Sequence, residues 1–258
     1  MTSKRVCAFC PQTANLTGEH LFAEWIDKLL TKSTSHYVFA DRDPTDRSVR
    51  RFSARHLNRT FKCVCADCNN GWMSDIDNEA RNTLKDVILY RAPVSFLASG
   101  IESIARFTFK NALVADYIHH KPFFSPHQRW QFKQSLELPL GTYAWMGGVV
   151  TERRKRHGIY KTSYGEPPAD ARDGIKLYVF TWSAESLLLQ MVAARWTNPL
   201  NFASGGWPQL SQDAQCNSVM RPFWPIPLTR HVTWPPQLPI SHNHLENIAV
   251  RFKKIRFY

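Results

Sequence analysis

Apolar residues recur at helical spacing in the stretch that begins near residue 74. The stripe consists of Ile76, Ala80, Leu84, Val87 and Ile88. It predicts an amphipathic helix that ends near Tyr90, before Pro93. Ser74 and Asp77, three residues apart, resemble a capping box, in which a hydroxyl and a carboxylate satisfy the first backbone amides of a helix.

Three further segments also show helical spacing. Residues 22–30 carry an aromatic and aliphatic stripe, and residues 101–119 are rich in Ile, Ala, Phe and Val. Ser125 and Pro126 have the residue types preferred at the N-cap and first position of a helix, which predicts a helix over about 126–136.

The pattern changes to short aromatic and β-branched runs after residue 140. They are Tyr143–Val150, Ile159–Tyr164, Ile175–Trp182 and Leu187–Trp196. Turn residues separate them, with a hairpin turn expected at residues 183–186, so they predict a mostly antiparallel sheet. Residues 248–258 alternate well enough for a final strand. We therefore expect an α+β protein with helices over about 81–136 and strands over about 142–258.

The charge of the chain is uneven. Its net charge is +12, yet residues 1–80 hold 11 Lys and Arg against 10 Asp and Glu, so the excess lies in residues 81–258. A basic surface suits a polyanion, most simply nucleic acid, although many basic proteins bind nothing specific. The N-terminus has no apolar signal segment and no run is long enough to span a membrane, so a cytoplasmic protein without a membrane partner is expected.

Two Cys-x-x-Cys pairs lie in the first 80 residues. Cys7 and Cys10 form one pair, and Cys65 and Cys68 form the other. In a cytoplasmic chain this pattern predicts a tetrahedral structural zinc site with four thiolates. Cys63 is an alternative ligand, but Cys65 alone stands at the right spacing from Cys68. The metal would supply much of the folding energy of a module over residues 1–80.

An acid–histidine dipeptide lies between the two pairs. Glu19 precedes His20, and Asn69 directly follows the last cysteine. If both pairs bind one zinc ion, these side chains are held near it. Carboxylate and amide oxygens suit Mg²⁺ or Mn²⁺, whereas a free imidazole can act as a general base.

The order of these features resembles the HNH endonuclease family, in its zinc-bearing branch with four cysteines. The strings Leu16–His20 and Cys65–Ser74 are also similar to a bacterial group of HNH-like proteins of undefined role. The resemblance covers about residues 5–80 and implies a ββα-metal, treble-clef module. It implies that Glu19 and Asn69 hold the catalytic divalent metal, and that His20 activates water.

The chain departs from the family pattern at several positions. Glu19 stands where Asp is commoner, and the middle Asn is not evident, with Asn58 as a weak candidate. Asn70 competes with Asn69 for the ligand position. Asp75 and Asp77 are further candidate ligands, although helix capping explains them more simply. Trp72 and Met73 are expected to pack between the zinc module and the next helices.

The expected activity is metal-dependent hydrolysis of DNA phosphodiester bonds, with RNA as another substrate. Four cations at a predicted loop tip, Arg153, Arg154, Lys155 and Arg156, are the best candidates for binding the DNA backbone, or else they form a solvated loop. The alternatives are a non-catalytic zinc module that binds nucleic acid and a protein-interaction subunit. A defence role against foreign DNA is compatible with such a nuclease, and the oligomeric state is left open.

Overall fold

The computed structural model describes most of the chain between residues 6 and 241. The described ranges are 6–13, 15–30, 37–42, 49–54, 60–90, 92–118, 122–150, 158–165, 175–196 and 218–241. The fold is α+β, as the sequence predicts. Its strands pair antiparallel except where the last short strand runs parallel to its neighbour.

The N-terminal part is a two-stranded sheet followed by a helical run. Strand β1 (Leu16–His20) pairs antiparallel with β4 (Thr60–Cys65), and the short helix α1 (Glu24–Leu30) follows β1. A second antiparallel pair lies between them in sequence, β2 (Tyr37–Arg42) with β3 (Val49–Ala54). The register of β1 and β4 shifts by one residue, so Cys63 bulges out of the pairing.

The chain turns from β4 directly into helix. A short α2 (Ala66–Cys68) and a π-helical turn (Asn69–Met73) lead into α3 (Ser74–Tyr90). Ser74 has helical dihedral angles, φ −63° and ψ −37°. The backbone kinks at Gly71, where φ is −94° and ψ is −122°, and it is helical again before Ser74. The predicted capping box at Ser74 is therefore wrong, because the residue lies inside a continuing helical run and not at its start.

Two helices follow the short strand β5 (Val94–Leu97). Helix α4 (Ala98–Tyr117) is buried on nearly all sides, and α5 (Pro126–Ser135) lies nearby. The capping box at Ser125 and Gln128 confirms the predicted start of α5. Helix α4 begins three residues before its predicted start, because Gly100 does not break it. A Cβ at Gly100 would lie 3.5 Å from the Thr83 side chain, so this residue marks a close approach of α4 to α3.

The C-terminal sheet covers one side of α4. Its strands are β6 (Thr142–Val150), β7 (Gly158–Gly165), β8 (Ile175–Ala184), β9 (Leu187–Trp196), β10 (Met220–Trp224) and β12 (Ile240–Ser241). The order is β10-β6-β9-β8-β7, and β12 pairs with β6. Strand β11 (His231–Trp234) pairs with β5. The four predicted strands are confirmed within two residues, whereas residues 248–258 lie outside the described part.

One hydrophobic core connects the two cysteine knuckles with the sheet. It runs from Phe9 near the N-terminus to Trp234 in β11. The Trp72 ring packs edge-on against Phe9 at 5.0 Å and against Phe132 of α5 at 5.8 Å. Trp72 thus fills the predicted place between the knuckles and the next helices. Whether residues 1–80 form a domain of their own stays a prediction.

Candidate functional site

Four cysteine sulfurs converge where the two knuckles meet. The Sγ atoms of Cys7, Cys10, Cys65 and Cys68 all lie within 4.8 Å of one another. The Sγ of Cys10 is 3.6 Å from that of Cys65 and 3.8 Å from that of Cys68. A tetrahedral site with zinc–sulfur bonds of about 2.3 Å has sulfur–sulfur edges of about 3.8 Å. The group could therefore hold a metal ion such as zinc.

Backbone amides and a lysine support negative charge on these sulfurs. The amides of Phe9 and Cys65 donate to Cys7 Sγ at 3.5 and 3.3 Å. Burial raises the pKa of Cys10 and of Cys68. At Cys65 burial acts in the same direction, but hydrogen bonds from the Cys68 backbone and the neighbouring thiols lower the pKa overall. Lys133 of α5 hydrogen-bonds Cys68, and its ammonium pKa is raised by the charge of the cysteines against the opposing effect of burial. These contacts suit thiolate ligands.

Cys63 lies outside this group of four sulfurs. Its side chain is buried, and burial together with the nearby Glu19 charge raises its thiol pKa to about 12. Its backbone carbonyl accepts a hydrogen bond from the Ala8 amide at 2.8 Å. Cys63 thus ties the first knuckle to β4 through its backbone. Cys65, and not Cys63, belongs to the group of four sulfurs, as the spacing predicts.

Asn69 links the second knuckle to strand β1. Its Nδ2 donates to Thr17 Oγ1 at 2.9 Å and to the carbonyl oxygen of Gly18 at 3.2 Å. A Cβ at Gly18 would lie only 3.0 Å from the side chain of Thr60 on β4, so glycine allows the strands to approach here. Because Asn69 follows Cys68 directly, the cysteine cluster places the amide beside the strand that carries Glu19 and His20.

Glu19 is bound by a lysine that the sequence motifs do not include. Its side chain is buried, and its Oε1 accepts a hydrogen bond from Lys110 Nζ at 3.0 Å. The same ammonium donates to both carboxylate oxygens of Asp77, at 2.7 and 2.9 Å. Lys110 lies on α4 and is fully buried, so one cation joins β1, α3 and α4.

Burial and charge shift the ionisation of this group in opposite directions. Burial alone would lower the pKa of Lys110, but the charges of Asp77 and Glu19 raise it above its ordinary value. Burial raises the pKa of Asp77, and Lys110 offsets that rise only in part. The ammonium is therefore firmly charged, and it faces two carboxylates.

His20 directly follows Glu19 and is the last residue of β1. His20 is half-buried, whereas Glu19 is buried.

The other predicted site residues fall in different places. Asn70 and Asp75 are exposed, and Asp77 bonds Lys110 and does not cap α3. Asn58 and residues 153–156 lie outside the described residues. A signal for Lys110 existed in the sequence, since it is a lone cation in the otherwise uncharged run Phe107–Ala115.

No family model, curated protein or solved structure matches this chain. The HNH assignment therefore stays an inference from the motif. In the part of the chain that the structure describes, none of the helices has the length and apolar character needed to span a membrane. The cytoplasmic location stays a prediction.

Proposed function

We propose that the chain is a zinc-stabilised, metal-dependent endonuclease of the HNH type that hydrolyses DNA phosphodiester bonds. One observation carries this proposal. Asn69 hydrogen-bonds the backbone and side chain of the strand that bears Glu19 and His20, although about 50 residues separate them in sequence. A purely structural zinc knuckle needs no such arrangement of an acid, a histidine and an amide.

The residues present fit the two metals in different ways. Zinc would occupy the four thiolates and hold the knuckles together. A catalytic Mg²⁺ or Mn²⁺ would use the Glu19 oxygen that Lys110 does not take and the Asn69 oxygen, since its Nδ2 is bound to β1. Two protein oxygens suffice for Mg²⁺, which usually keeps several water ligands. This metal would stabilise charge on the scissile phosphate.

His20 would take the proton from the attacking water. It is half-buried at the end of β1 and directly follows Glu19, so it would lie beside a metal bound there. The basic residues of the C-terminal part would hold the DNA backbone, with Arg153, Arg154, Lys155 and Arg156 as the first candidates.

The decisive experiment compares His20→Ala with wild type on plasmid DNA in Mg²⁺ or Mn²⁺. We expect cleavage to fall by about 10²–10⁴-fold, the usual contribution of a positioned general base. Zinc content and DNA affinity should be unchanged, because the thiols and the basic residues remain. His127→Ala, at an exposed histidine on α5, is the matched control and should cut normally. Normal cleavage by His20→Ala would refute the proposed role of the histidine.

A second function is favoured by the contact between Lys110 and Glu19. A carboxylate that is 3% exposed and bound to an ammonium is a poor open metal ligand, which suits a zinc module that binds nucleic acid without cutting it. Wild type would then bind DNA but would not cut it, whichever divalent metal is added.

In either case, alanine at residues 153–156 should reduce the log–log salt slope of DNA binding by about 0.9 for each phosphate that the variant no longer binds. An unchanged slope would assign these residues to a solvated loop.

A further inference from the structure

Lys110 is a charged group of the site, and the proposed chemistry gives it no role. It is the fully buried ammonium that joins Glu19 of β1 to Asp77 of α3. A lysine buried in a helix that is apolar on nearly all sides is unusual, because charged groups enter protein interiors only when they are paired. Its two partners include the acid that we assign to the divalent metal.

We propose that Lys110 is a positioning residue that acts as the fixed cation of the site, occupying the space between Glu19 and Asp77 and leaving one Glu19 oxygen for a divalent metal. This inference rests on the proposed function. Both carboxylates lie within hydrogen-bond distance of the same nitrogen, so they are close enough to share one cation. The ammonium takes that position and orients Glu19.

The charges of the group predict the sign of the change in metal affinity when Lys110 is removed, which a merely structural lysine would not. With Lys110 present, the two carboxylates and the ammonium leave one net negative charge. Without it, two adjacent carboxylates face each other and form a good pair of ligands for a divalent ion. Removal of Lys110 should therefore strengthen metal binding and weaken cleavage, because the ion would move between Glu19 and Asp77 and away from Asn69.

The test measures Mn²⁺ binding by electron paramagnetic resonance on the zinc-loaded full chain, and cleavage in parallel. Lys110→Met should bind Mn²⁺ at least about tenfold more tightly than wild type, because the carboxylate pair gains one net negative charge. It should cut at least about tenfold more slowly, because Glu19 loses the group that orients it. Glu19→Gln should abolish this Mn²⁺ site in both backgrounds. Lys110→Met with Asp77→Asn should return the affinity close to that of wild type. Lys85→Met removes an exposed charge from the same helix as Asp77, and it should change neither quantity.

Unchanged or weaker Mn²⁺ binding by a folded Lys110→Met protein would overturn the inference. If that variant fails to fold, Lys110→Gln repeats the measurement, because glutamine is shorter and can still donate to a carboxylate. Asp77→Asn alone supplies an independent arm: it removes negative charge beside the metal and should weaken Mn²⁺ binding, so an unchanged affinity counts against the inference. If wild type binds no Mn²⁺ and Lys110→Met gains a site, the metal-dependent nuclease and the orienting role of Lys110 are both refuted. Only the occupation of the space between Glu19 and Asp77 by Lys110 is then supported.

Discussion

Arg129 connects the first cysteine knuckle to helix α5, and its removal should loosen the metal site from a distance. Its Nε donates to the carbonyl oxygen of Ala8, between Cys7 and Cys10, at 2.9 Å, and its Nη1 donates to the carbonyl oxygen of Phe124. Its guanidinium also lies 4.9 Å from the ring centre of Tyr117. We predict that Arg129→Met destabilises the protein and accelerates the loss of zinc.

The magnitude follows from these contacts. Arg129 is only 4% exposed, so both carbonyls would be left without a partner in the interior, at about 1–3 kcal/mol each. The two carbonyls therefore set the scale, and we expect a net loss of about 2–4 kcal/mol.

Urea unfolding and the rate of zinc transfer to a chromogenic chelator test the prediction together. Tyr117→Phe is the matched control: it keeps the ring beneath Arg129 and removes the hydroxyl that donates to the Val6 carbonyl oxygen at 2.8 Å. That change should cost about 1 kcal/mol. If Arg129→Met lies within about 1 kcal/mol of wild type and releases zinc at the same rate, the knuckle is not held by α5, and the reasoning fails.

Two further predictions concern the cysteines and Asp77. Cys10→Ser or Cys68→Ser should abolish the single bound zinc ion measured by atomic absorption, whereas Cys63→Ser should keep it; wild type without zinc would end the metal assignment. The pKa of Asp77 is raised in the folded state, so this carboxyl binds its proton more tightly when the protein is folded. Its contribution to the free energy of unfolding therefore declines as the pH rises from 3.8, the ordinary pKa of the group, through the higher pKa of the folded state. Asp77→Asn should remove this decline in urea unfolding followed across pH, and identical pH profiles for the two proteins would contradict it.

The sequence predicts elements well where local pattern and structure agree. Strand β9 coincides with the predicted Leu187–Trp196, and α3 ends at the predicted Tyr90. Both have long, regular apolar patterns that tertiary contacts reinforce. The short strands β5 and β11 escape prediction because each is only four residues long and pairs with a partner more than 100 residues away. Their pairing comes from the folded core and not from local spacing.

The same distinction between local spacing and tertiary pairing holds for the candidate site. Cysteine spacing predicts all four sulfurs of the cluster, because metal ligation imposes a short and recognisable spacing on the chain. The link between Glu19 and Lys110 joins residues 91 positions apart and has no such spacing rule. The Ser74–Asp77 pattern misleads for a related reason: Asp77 is turned toward Lys110, so tertiary pairing prevails over the local capping motif.

The role that we propose for the group of Lys110, Glu19 and Asp77 is functional and not stabilising. Replacing buried charges of this kind by well-packed apolar side chains is often neutral or stabilising, so stability alone gives no reason to keep them. Local rules of folding are typically broken at functional sites, and here a lysine interrupts a helix that is buried on nearly all sides. It does so against the one strand that carries both the predicted metal ligand and the predicted base. The position of this lysine therefore makes β1 the first strand to test by mutation, whether Glu19 binds a divalent metal or only the ammonium of Lys110.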